Sequence, residues 1–178
     1  SAIDKGLVIC GEHEIGAYRD FGITHVISVS NLGITASIPD WFEGDRMTFQ
    51  FGDVISVSDA ASLGTRAPDA DDIRQAIDFL VVQEFWFDQN FDSLNCGASR
   101  SPALAFVGIA HQFGIGREDE SLQAILKIRP EAIPNLLVVQ IADTILQRSG
   151  ALVSSLRNYY QEVEAELNLH EPVHKSES

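Results

Sequence analysis

Residues 102–113, Pro-Ala-Leu-Ala-Phe-Val-Gly-Ile-Ala-His-Gln-Phe, constrain the fold more than any other stretch of the chain. Small and apolar side chains cover nearly every side of a helix written on this segment, and a helix that is apolar all round is a buried one. It needs neighbours on every side, and a chain of 178 residues is long enough to supply them within one domain. Gly114 and Gly116 stop it.

Hydrophobic periodicity supplies the neighbours. Short apolar or alternating runs at 7–10, 25–30, 47–51 and 91–95 read as strands. Helical patterns cover 14–21, a segment opening at Pro68 with Ile73, Ile77, Leu80 and Val81 on one face, 118–128 ended by Pro130, 134 to about 148 with Gly150 as the stop, and 152–167. Residues 54–69 read as a long connection of the kind that forms lids and binding loops. Strands come early and alternate with helices, so the expected fold is α/β: one domain with a parallel-rich central sheet flanked by helices. The expected domain spans 1–168, and the polar residues 169–178 are expected to be a disordered tail.

Charge and cysteine content exclude several classes. The formal net charge is −14, which opposes binding to nucleic acid and to anionic membranes. No apolar run approaches the ~18 residues that span a bilayer, and the first residues lack the basic start and apolar stretch of a signal peptide. The two cysteines, Cys10 and Cys96, lie far apart, so two free thiols in a reducing, cytoplasmic setting are expected.

The chemistry is concentrated in Asn95-Cys96-Gly97-Ala98-Ser99-Arg100-Ser101-Pro102. A small-residue loop feeding a helix N-terminus points several backbone N–H groups one way, and such a nest binds tetrahedral anions. Arg100 adds a planar fork for two phosphate oxygens. A cysteine in the same field has a lowered pKa and is a nucleophile at neutral pH.

This stretch resembles the signature of the cysteine-dependent protein tyrosine and dual-specificity phosphatases, and more closely that of the bacterial predicted protein tyrosine phosphatases. Gly97-Ala98-Ser99-Arg100-Ser101 matches its second half. The segment 129–135, Arg-Pro-Glu-Ala-Ile-Pro-Asn, is similar to the Arg-Pro…Pro-Asn segment of that family, and Phe51-Gly52-Asp53 resembles its strand-ending Asp. The resemblance runs from about residue 7 to 157. It implies a dual-specificity phosphatase fold and phosphomonoester hydrolysis, with phosphotyrosine as one such ester, through a cysteinyl-phosphate intermediate. In that reading Cys96 attacks, and Gly97, Ala98, Ser99, Arg100 and Ser101 hold phosphate. Asp53 is the general acid with Asp59 as substitute, Ser101 steadies the leaving thiolate, and Asn135 braces the loop. The implied partner is a phosphorylated protein or a small phosphate ester, and neither metal nor organic cofactor is required.

The chain departs from the family by placing three residues, not five, between Cys96 and Arg100. Two alignments stand. Either Cys96 is the nucleophile in a loop two residues short, or nothing is deleted and Leu94 occupies the nucleophile position. The second describes a pseudophosphatase that binds phosphate or a phosphorylated partner without turnover. Ordinary readings stand beside the sharp ones: Cys96 as a small buried thiol, Arg100 as a surface cation, Asp53 as a turn cap and Asn135 as a helix-start residue. The Cys10-x-x-His13 pair, the His170/His174 pair, His111, and Glu162, Glu164 and Glu166 read as ordinary surface or packing residues.

Overall fold

The computed structural model describes residues 8–11, 14–35, 38–81 and 98–170. It is a mixed α/β structure. Strands β1 (His25–Ser30) and β2 (Asp45–Gln50) pair in parallel, in register from His25 opposite Asp45 to Ser30 opposite Gln50. The Phe51 N–H extends the ladder to the Ser30 carbonyl at 3.0 Å. At the other end Gly44 lies so close to β1 that a Cβ on it would sit 2.1 Å from the Thr24 carbonyl oxygen. Only glycine fits there, and the Asp45 N–H reaches the same oxygen at 2.9 Å.

The expected four-strand sheet is corrected in part. Residues 8–10 form no strand, although Ile9 is buried. The Ile9 carbonyl is taken at 3.0 Å by the side chain of the wholly buried Arg129. The expected strand at 91–95 lies outside the described residues, and the third expected strand sits two residues earlier than its apolar pattern, because pairing with β1 begins at Asp45. The expected helix at 14–21 is a 3-10 helix, Ile15–Phe21, closed by left-handed Gly22.

The connection expected at 54–69 contains a helix, α1 (Val57–Ser62). Ser56 Oγ accepts from the Asp59 N–H at 3.1 Å and donates to Asp59 Oδ2 at 2.7 Å. This reciprocal cap is enough to start a turn. Helix α2 (Ala70–Val81) buries Ile73, Ala76, Ile77 and Leu80. Its start is fastened to β2 by Arg66, which bonds the Gln50 carbonyl through Nε at 3.0 Å and grips Asp72 with both terminal nitrogens at 2.6 and 3.0 Å.

Helix α3 (Arg100–Phe113) is buried from Pro102 to Ala110, as its composition requires. It begins two residues earlier than the apolar pattern indicates. Gly108 lets α2 close on it, since a Cβ there would meet Leu80 Cδ1 at 2.9 Å. Helices α4 (Glu118–Ile128), α5 (Leu136–Ile145) and α6 (Ala151–His170) complete the core around α3.

Helix α5 ends before the expected Arg148. Gln147 and Ser149 both take left-handed φ values of 53°, which turns Arg148 inward to Glu118 Oε1 at 2.9 Å and to the Ala110 carbonyl at 2.7 Å. Buried Asp143 then accepts from the N–H groups of Gly150 and Leu152 and starts α6. That helix reaches His170, past the expected boundary at 168. Among the described residues no helix is long and apolar enough to cross a membrane.

Candidate anion site at the amino end of helix α3

Six of the eight expected site residues, Asp53, Ala98, Ser99, Arg100, Ser101 and Asn135, converge where α3 begins, beside the carboxyl ends of β1 and β2. Ligands of open α/β sheets characteristically bind at such an edge. Cys96 and Gly97 lie outside the described residues. Ala98 and Ser99 lead into the helix, and Arg100 and Ser101 are its first two residues.

The approach to α3 is held by the segment before α5. The Ile133 N–H donates to the Ala98 carbonyl at 2.7 Å, and the Asn135 N–H to the Ser99 carbonyl at 3.0 Å. Ser99 occupies the N-cap position but makes no cap bond to its own helix. Its hydroxyl donates to Asp53 Oδ1 at 2.8 Å. The first-turn amides of α3 are therefore not capped by the residue normally used for that purpose.

Asn135 is buried and uses both ends of its amide. Its Oδ1 accepts from the Val138 N–H at 3.0 Å and caps α5, while its Nδ2 donates to Asp53 Oδ1 at 2.8 Å and to the Val54 carbonyl at 3.0 Å. The helix-start reading of Asn135 applies, and the same side chain ties α5 to the end of β2. Asp53 is exposed and accepts from Ser99 and Asn135 through one oxygen, so it anchors both segments to the end of β2. Asp59 serves the α1 cap instead.

Arg100 is half-buried. Its Nη1 donates to the Phe51 carbonyl at 2.7 Å and to Asn31 Oδ1 at 3.0 Å, which fixes the guanidinium between the two strand ends. A cation at a helix N-terminus opposes the helix dipole; here two oxygen acceptors compensate it.

Sequence reasoning missed Asn31 and two tyrosines. Asn31 is the first residue after β1, a place where a polar side chain commonly ends a strand, and that was its only signal. Tyr159 donates to the Ala132 carbonyl at 2.8 Å, and Tyr160 donates to the Pro134 carbonyl, so α6 clamps the segment that carries Asn135. Burial, then the Asp53 carboxylate, then Tyr159 push the Tyr160 phenol up to about 12. No local pattern marks such contacts, which cross 26 and 27 positions of chain.

Cys10 is governed by other groups, Glu14 and Arg129. Burial first, then Glu14, with Arg129 opposing, push its thiol up to about 11, so it is protonated at neutral pH. Among the described residues no three His, Cys, Asp or Glu side chains gather as a metal site. His13 and His174 lie outside the described residues. No protein-family model matches the chain, and no curated protein matches it either.

Proposed function

We propose that the chain binds a phosphate monoester at the amino end of α3 and hydrolyses it through Cys96, within a fold of the dual-specificity phosphatase type. The observation that carries this reading is the meeting of Arg100, Ser99, Asp53 and Asn135 at a helix N-terminus that Ser99 leaves uncapped. Backbone amides and the helix dipole favour a dianion there, and Arg100 supplies the fixed cation.

In the reaction the Cys96 thiolate attacks phosphorus. The S–P bond forms as the ester P–O bond breaks, and the leaving oxygen takes a proton from Asp53. Water then gives a proton back to the Asp53 carboxylate as its oxygen bonds phosphorus and the S–P bond breaks, which releases inorganic phosphate and restores the thiolate, steadied by Ser101. The substrate class is a phosphorylated protein or a small phosphate ester, and the reducing cytoplasm is the setting that preserves a reactive thiol.

A second reading is phosphate binding without turnover. Two observations favour it: three residues separate Cys96 from Arg100, and Arg100 and Ser99 already bond to Phe51, Asn31 and Asp53. Hydrolysis of p-nitrophenyl phosphate by the wild type, Cys96→Ser and Arg100→Ala, with vanadate as competitor, tests the first reading. Turnover lost in both variants supports it. No turnover in folded protein, with vanadate still bound, favours the second.

A further inference from the structure

Nine large apolar side chains are well exposed among the described residues, and they are not scattered. Six belong to the loops and the short helix α1 near the amino end of α3: Leu32, Ile34, Ile55, Val57, Leu63 and Ile133. Single exposed apolar residues need no explanation, but a cluster at one end marks an interaction surface.

Hydrogen bonds tie Ile34, Ile55 and Ile133, directly or through a chain neighbour, to the strand ends and the start of α3, and Leu32 follows Asn31, which accepts from Arg100. The Ile34 carbonyl accepts from Ser30 Oγ at 2.7 Å and from Gln50 Nε2 at 2.8 Å, which pins it across both strand ends. Ile55 follows Val54, whose carbonyl is held by Asn135. Ile133 bonds Ala98 at the start of α3. Leu63 ends α1, and the chain returns at once to the strand end, where the Gly52 N–H reaches the Arg66 carbonyl at 2.7 Å. Ile55, Val57 and Leu63 are each about 70% exposed (72%, 68% and 71%), although Val57 opens the short capped α1 and the other two flank it.

The rim also carries the carboxylates of Asp53, Asp59 and Glu131, the last beside buried Arg129; its cations are engaged, Arg100 by Asn31 and Phe51 and Arg66 by Asp69 and Asp72. The whole chain stands at −14. An anionic bilayer would be repelled, and so would a second copy of the chain. Apolar area rimmed by acid complements a segment that is both apolar and basic.

We propose that this collar docks a protein segment bearing large aliphatic side chains interspersed with lysine and arginine. Docking stands independently of phosphate chemistry, because it rests on the six aliphatic side chains and on carboxylates and needs no bound phosphate.

Fluorescence anisotropy with labelled, unphosphorylated synthetic peptides of Leu/Ile and Lys/Arg tests it, beside matched peptides carrying Glu for Lys/Arg. The basic peptides should bind, weaken with added salt, and exceed the acidic ones by about tenfold or more. The double variant Ile55→Ser/Leu63→Ser should weaken binding about tenfold. Ile115→Ser, at a side chain more exposed still but beyond the far end of α3, should leave it unchanged. Val57→Ser gives the same comparison should the double variant not fold. No binding, equal binding of acidic peptides, or equal binding by the collar variants overturns the proposal. So does adsorption to phosphatidylserine vesicles in place of peptide, or self-association in sedimentation that the double variant abolishes. Because the peptides carry no phosphate, a chain that fails to hydrolyse or bind phosphate can still pass.

Discussion

The Asn135 side chain donates to Asp53 at 2.8 Å across 82 positions of chain, and that bond joins the end of β2 to the start of α5. The same amide caps α5 and holds the Val54 carbonyl. Removing it leaves a buried carbonyl and a helix amide without partners. Asn135→Ala is expected to cost about 2–4 kcal/mol, the sum of a lost cap and unsatisfied buried groups. Urea unfolding with unchanged slope and a lower midpoint is the expected result; a midpoint within error of wild type would refute it.

Arg129 is wholly buried, bonds Ile9, and lies 3.6 Å from Glu14 and 3.3 Å from Glu131. Its Nη2 has no hydrogen-bond partner. The Nε contact with Glu131 is an ion pair by distance but is not aligned as a hydrogen bond. Arg129→Met strands the half-buried Glu14 and should destabilise by about 3 kcal/mol or more. Adding Glu14→Gln should restore part of that loss. A double variant no better than the single would show that the arginine acts through its packing and its other contacts, Ile9 and Glu131, and not through Glu14.

The Tyr160 phenol is raised in the folded protein to about 12, from an ordinary value of 10. The unfolded chain therefore ionises first. Its contribution to stability is complete below pH 10, declines above it, and is lost as pH rises through about 12. Tyr160→Phe should flatten the alkaline fall in stability. A spectrophotometric phenolate titration of the folded protein should show a late tyrosine that this variant lacks.

The Cys10 thiol, pushed up to about 11 by burial, should react slowly with a thiol reagent near pH 8 in the native state and quickly once unfolded. Cys96→Ser isolates Cys10 for the measurement. Rapid native labelling of that variant would mean that the thiol is open to solvent and ionises readily, against the prediction.

Gly44 and Gly108 both stand where a side chain is obstructed, but by different neighbours. At Gly108 the neighbour is the end of a leucine side chain, which can move; at Gly44 it is the Thr24 carbonyl at 2.1 Å, with which Asp45 pairs. Gly44→Ala should therefore cost more than Gly108→Ala, which falls within about 1–3 kcal/mol for overpacking. Thermal unfolding of the two variants decides the order.

Helices were legible where one local signal sufficed. Residues 118–128 carry an acidic first turn and a following proline, and α4 occupies those bounds. The buried face of α2 was readable from Ile73, Ile77 and Leu80. The short α1 was missed because its cue, Ser56 with Asp59 three residues on, lies in a polar stretch with no apolar period. Residues 8–10 misled because an apolar run looks the same in a strand and in a coil fastened by a distant arginine.

By itself the sequence determined the places of the longer helices, that residues 102–110 lie at the centre, and that Ala98 to Ser101 lead into a helix. Those properties follow from neighbours within a few positions, through period, capping and propensity. Only the tertiary structure decided that Arg100 turns to Phe51 and Asn31, that Ser99 serves Asp53 and not its own helix, and that α6 clamps the segment bearing Asn135. Each is a choice among competing hydrogen-bond partners, and the winner depends on which groups packing has removed from water and brought within about 3 Å.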